Sequence, residues 1–127
     1  MGTWDAAPWD NDAAADWFGD LFDQTGVAMR VEETLLLDPQ EAHEEIRAAA
    51  AMLLFLGRTY VWPIDDLDRH LKLAIKRLEE IEKLGVYEEA PEIVERVRRE
   101  AELLRSRLRD GKLVDDEAAR QWWLRMR

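Results

Sequence analysis

The side chains best suited to chemistry are concentrated at the start of this chain. Trp4 and Trp9 precede Asp10-Asn11-Asp12, and Asp16 follows Asp12 at the spacing of one helical turn. Carboxylate and amide oxygens in succession suit a hard cation. Indole faces suit an amine. Trp4, Trp9, Asp10, Asn11, Asp12 and Asp16 therefore form a candidate binding segment for a metal or an amine-bearing ligand. A calcium loop of the EF-hand type would need further ligands and a glycine at its sixth position, and neither is present. The favoured reading of the same residues is structural. Asn11 caps the first helix, while Trp4 and Trp9 pin an N-terminal arm, residues 1–11, onto the rest of the molecule.

Other reactive groups are sparse. His70 follows Asp65, Asp66 and Asp68, and Asp66 and His70, four apart, share a helix face on which both could meet one cation. Acids in a first turn oppose the helix dipole, however, and a lone histidine there is expected to pack or to be solvated. His43 begins His-Glu-Glu-Ile-Arg, which lacks the second histidine of a metalloprotease helix. His43 and Arg47 are expected to be exposed neighbours. Ser106, the only serine, has no nucleophile-elbow context, there is no cysteine, and no glycine-rich phosphate loop occurs. No catalytic residue, metal or cofactor is assigned, so an enzyme is the weaker expectation.

Charge narrows the partners. The 127 residues carry a net charge of −10, of which six Asp and no Lys or Arg fall in residues 1–26. Residues 61–127 are nearly balanced, at −1. A field of that sign repels phosphate backbones and anionic lipid, which disfavours nucleic acid and membrane surfaces and suits a basic protein partner. The apolar fraction of 47% fits a folded globular chain. The opening residues lack the basic start and apolar run of a signal peptide. The longest nearly uncharged stretch, Ala48–Leu56, is far short of the roughly 20 residues that span a bilayer. The expected setting is cytoplasmic.

The elements that position these residues read as helices. Asn11 starts a first helix of about residues 12–23, with Ala14, Trp17, Phe18 and Leu21 as its apolar stripe and Gly26 as its break. On that stripe Trp17 is expected to be buried. A second helix covers about residues 27–37. In Asp38-Pro39-Gln40-Glu41, a cap, a preset first-turn φ and a capping-box acid open a third. Its stripe is Ala42, Ile46, Ala49, Ala50, Leu53 and Leu56, and Gly57 is expected to end it in a left-handed turn. Residues 58–63 form a loop bearing Tyr60 and Trp62. Leu67, Leu71, Ala74, Ile75, Leu78 and Ile81 mark a fourth helix that stops at Gly85. Pro91 opens a fifth, with Val94, Val97, Ala101, Leu104 and Leu108 inward and Gly111 as its end. Its arginine-rich stretch, Arg96 to Arg109, reads as a solvated face held by pairs such as Glu95–Arg99. Asp115 caps a last helix within residues 112–127. Adjacent residues on a helix point about 100° apart, so Trp122 is expected inward while Trp123 lies on the flank as a candidate homodimer contact. The fold class is all-α, one compact domain of five or six helices over residues 1–127, with short connections that make successive helices neighbours.

The N-terminal residues also carry a resemblance. The opening, with Gly2, Thr3, Trp4, Pro8, Asp10, Asn11, Asp12, Ala15, Asp16, Trp17, Asp20 and Leu21, resembles the signature of a family of small, mostly bacterial proteins designated domain of unknown function 4259. Trp9 stands where that family usually has Phe, and Asp5 and Ala7 stand where a Gly is usual. The alanine-rich run Glu45–Leu54 is similar to the family's second signature. A looser likeness reaches Leu104–Leu108, and the tail ending Gln121-Trp122-Trp123 is additional. The resemblance implies a small helical protein and supplies no activity. It marks Trp4 and Asp10-Asn11-Asp12 as the positions most tied to whatever the family shares.

Two functions are expected in order. The first is a non-enzymatic interaction protein, immunity-like or regulatory, whose acidic face covers a basic protein surface. The second is a small metal- or ligand-binding enzyme built on Asp10, Asn11 and Asp12.

Overall fold

A computed structural model describes Pro8 and residues 11–108, and these form five α-helices with no strand among them: α1 (Asp12–Thr25), α2 (Val27–Leu35), α3 (Pro39–Leu56), α4 (Ile64–Leu84) and α5 (Pro91–Arg105). The chain is an all-α helical bundle. The N-terminal arm apart from Pro8 and Asn11, together with Gly111 and the expected last helix with Trp122 and Trp123, lies outside the described residues.

Local sequence accounts for most helix ends. The Asn11 side chain accepts a hydrogen bond from the Ala14 amide at 2.7 Å, satisfying one of the first-turn donors. Asp38 does the same for Gln40 at 2.9 Å, with Pro39 at the first helical position. Gly26 and Gly85 close α1 and α4 in left-handed conformations, φ 65° and 70°. Gly57 corrects the sequence expectation: its φ of −78° is not left-handed. Glycine is required there for space, since a Cβ would lie 2.4 Å from the Leu53 carbonyl oxygen on which the Gly57 amide closes the helix. α5 ends at Arg105, before Gly111. The Ser106 hydroxyl donates to the Leu103 carbonyl, and Arg107 crosses to donate to the Leu53 carbonyl at 2.6 Å.

α4 is the central helix and packs against α2, α3 and α5. Arg47 meets Glu100 while Arg107 meets Leu53, so α3 and α5 run parallel. Glu82 meets Arg98 and Glu79 meets Arg105, so α4 runs antiparallel to α5. The expected Glu95–Arg99 pair is not among the ion pairs of the described residues, and α5 pairs across helices instead, through Arg98, Glu100 and Arg105. Leu67, Leu71, Ala74, Ile75, Leu78 and Ile81 bury the inward stripe of α4 against Ile46, Ala49, Ala50 and Leu53 of α3 and Val97, Ala101 and Leu104 of α5. Each large aliphatic side chain so buried contributes about 1.5–3 kcal/mol of transfer free energy.

α1 is peripheral. Among the helices it touches only α2, and it is anchored by Phe22, whose ring meets Trp62 of the α3–α4 loop edge-on at 5.1 Å. Here one member of the expected stripe is wrong: Trp17 is 61% exposed, while Ala14, Phe18 and Leu21 are half-buried and Phe22, outside that stripe, is the buried anchor. On a helical wheel Trp17 lies about 100° from Phe18 and about 140° from Phe22, so the helix is rotated from the expected stripe and turns Trp17 outward.

Candidate functional site

Two polar constellations and one helix face stand out. The first is buried where α2, α4 and the 58–63 loop converge. The helical phase of Leu67, Leu71 and Ala74 puts His70 on the inward face of α4, and its side chain is fully buried. The indole N–H of Trp62, itself 2% exposed, donates to His70 Nδ1 at 3.0 Å. Indole nitrogen only donates, so the ring proton of His70 sits on Nε2, where it donates to Glu32 Oε1 of α2 at 2.7 Å. Arg69 also donates to Glu32, and at 2.8 Å to Asp66. Hydrogen bonds from His70 and then from Arg69 hold the Glu32 carboxyl below its usual pKa near 4.5, against a smaller opposing effect of burial.

A carboxylate paired with an imidazole is half of many hydrolytic sites. Here the third position is an indole N–H, which is neither nucleophile nor base. Both ring nitrogens of His70 are occupied, so neither is left for a metal, and Asp66 turns to Arg69 instead of sharing a cation with His70. The constellation ties α2 and the Trp62 loop to α4.

The second constellation joins the start of α3 to α5 and the α4–α5 connection. Arg47 grips Glu100 with two hydrogen bonds, 3.0 and 2.9 Å, in the planar fork that suits a carboxylate. Hydrogen bonding to Glu100 holds the Arg47 guanidinium above its usual pKa despite burial, and Tyr87, whose ring centre lies 5.8 Å away, adds to the effect. His43 is half-buried with its ring edge-on to Tyr87 at 5.5 Å, and its Nδ1 has no hydrogen-bond partner among the described residues. His43 and Arg47 are thus packed, not exposed as the sequence suggested. Beside them a cleft of about 570 Å³ between the end of α4 and α5 is lined by Ile81, Tyr87, Pro91, Val94 and the mutually paired Glu82 and Arg98.

The helix face belongs to α1. Of the candidate binding segment, Trp4, Trp9 and Asp10 lie outside the described residues, as does Trp123. The side-chain oxygen of Asn11 is committed to its cap. Asp12 and Asp16 are exposed, as are Asp20 and Asp23, and none of the four forms an ion pair among the described residues. No group of three His, Cys, Asp or Glu side chains among the described residues is arranged to hold a metal. The four carboxylates and Trp17 give α1 an outward surface that is acidic, contains no base, and carries one large aromatic ring.

Sequence reasoning missed Trp62, His70 and Glu32 as a unit. His70 was detectable, since it stands three residues after Leu67 and four before Ala74. Trp62 sits in a loop with no period, and Glu32 is 38 residues away, so nothing local joins them. Compared with known proteins, the chain matches no family model, no curated protein and no solved structure.

Proposed function

We propose that this protein is a non-enzymatic interaction module, immunity-like or regulatory, that docks a basic protein through the outward face of α1. The observation that carries this reading is Trp17: a 61% exposed indole on a helix with no Lys or Arg and with four aspartates that form no ion pair among the described residues. Tryptophan is enriched among the few residues that dominate interface energies, and a surrounding charge of one sign speeds encounter with its complement. The signature residues Asp16, Trp17 and Asp20 stand on this outer face, where packing does not require them. The resemblance to the domain of unknown function 4259 family thus falls on the same surface. No helix among the described residues is long and apolar enough to cross a membrane, and a cytoplasmic setting belongs to this reading.

A photo-crosslinking phenylalanine derivative at position 17, introduced in the source cells, tests it. The expected product is one predominant adduct with a protein of net positive charge, weakened by salt and by Asp16→Asn with Asp20→Asn. An acidic partner, or an adduct insensitive to both changes, contradicts it.

A further inference from the structure

A groove of about 330 Å³ runs between the inner edge of α1 and the α3–α4 loop, lined by Ala15, Gly19 and Asp23 on one side and by Tyr60, Trp62 and Ile64 on the other. We propose that this groove receives a lysine side chain of the basic partner, its stem lying along the exposed Tyr60 and Ile64 and its ammonium ending on Asp23. The inference rests on the docking role of α1 and names the residue that the partner inserts.

Three observations support it. The volume is at the lower end of what small organic groups occupy, roughly 300 Å³ and upward. Its walls are mostly apolar and aromatic, with Thr59 and Asp23 as the polar exceptions, and Asp23 is an exposed carboxylate with no ion pair among the described residues. A long aliphatic stem with a cationic head matches that polarity from end to end, and aromatic rings favour a nearby cation. Gly19 faces open space, a Cβ built there meeting nothing within 4 Å, so a longer side chain at this position has room to reach into the groove.

Position on α1 makes the groove part of the proposed interface. Around the helical wheel, Ala15, Gly19 and Asp23 fall on successive turns, followed by Asp16 and Asp20 and then Trp17. Asp23 lies about 20° from Asp16 and Gly19 about 160° from Trp17, so the groove borders the acidic ridge on the side away from the indole, and a partner seated on the ridge reaches it. The loop side is held firmly, since Trp62 is fixed by Phe22 and His70.

The test is a titration of the ¹⁵N-labelled full chain with octalysine and, separately, with n-butylammonium, followed by amide shifts and by melting of each variant. Octalysine is expected to move the Gly19, Asp23 and Tyr60 signals. Gly19→Leu, which fills the groove at an open helical position, is expected to weaken binding about tenfold or more without lowering the melting temperature, and Asp23→Asn is expected to weaken it as well. Trp17→Ala is expected to leave the groove shifts in place. Shifts confined to Asp12, Asp16 and Asp20, with Gly19→Leu and Asp23→Asn binding like the wild type, overturn the lysine groove while leaving the acidic docking face standing. Groove shifts with n-butylammonium while octalysine at the same concentration moves neither the groove signals nor Asp16 and Asp20 make this a small-amine site and overturn both the groove proposal and the docking face. Silence to both probes at millimolar concentration likewise overturns both.

Discussion

Trp62 and Trp17 are the same residue with opposite fates, and the difference separates what builds this protein from what the protein presents. Trp62 is 2% exposed, stacked edge-on against Phe22, with its one donor satisfied by His70. Trp17 is 61% exposed and touches Phe18 edge-on at 5.3 Å, but it is otherwise turned away from the core. A buried indole contributes most when its N–H has a partner, and an exposed one on a peripheral helix has no such structural role. The Trp62 junction closes the bundle, while the Trp17 face leaves a large apolar surface in water.

The largest effect is expected at the junction. Trp62→Ala should cost about 3–5 kcal/mol, the range for removing a large core aromatic, read as a shift in urea midpoint. A midpoint within error of the wild type would show that the loop does not depend on this ring.

Next is Glu32. Glu32→Gln removes the carboxylate that His70 and Arg69 hydrogen-bond, and it should cost about 1–3 kcal/mol at neutral pH. The folded-state pKa of Glu32 lies below its unfolded value near 4.5. Its stabilisation is therefore present above that pH and lost as the pH falls through the lower folded value. Glu32→Gln should flatten this part of the acid limb of a stability–pH profile. An acid limb unchanged by the substitution would place the pH sensitivity elsewhere.

A smaller loss, about 1 kcal/mol, is expected for Asn11→Ala, with Asn11→Asp nearly neutral because either side chain can cap. Thermal melts of the two variants check this. If Asn11→Asp abolished binding of a ligand without altering the melt, Asn11 would be part of a site as well as a cap.

The contrast also marks what a sequence can reveal. Chain ends of helices depend on local chemistry, so Asn11, Gly26, Asp38-Pro39, Gly85 and Pro91 are legible where they stand. The inward stripes of α3 and α4 are legible because their aliphatic residues keep one phase over four or more turns. α1 is ambiguous because Trp17–Leu21 and Phe18–Phe22 are both apolar pairs at i,i+4. Which pair turns inward is decided by Trp62, some forty residues downstream. The junction was hidden for the same reason, since its three members come from a helix, a loop and another helix. Of the candidate site, the acidity of the N-terminal quarter was legible, but the outward aim of Trp17 required the packing of α1 to be known.

The smallest stability effect is expected at Trp17, and there the central claim is most exposed. Trp17→Ala should change the unfolding free energy by no more than about 0.5 kcal/mol, as for a surface position. The direct measurement is calorimetric titration of the crosslinked partner, once purified, into wild type and Trp17→Ala, with melting curves of both. The account predicts an affinity loss of about 2 kcal/mol or more, roughly thirtyfold, at an unchanged melting temperature. Unchanged affinity together with a melting temperature lowered by several degrees would contradict it and return Trp17 to the core.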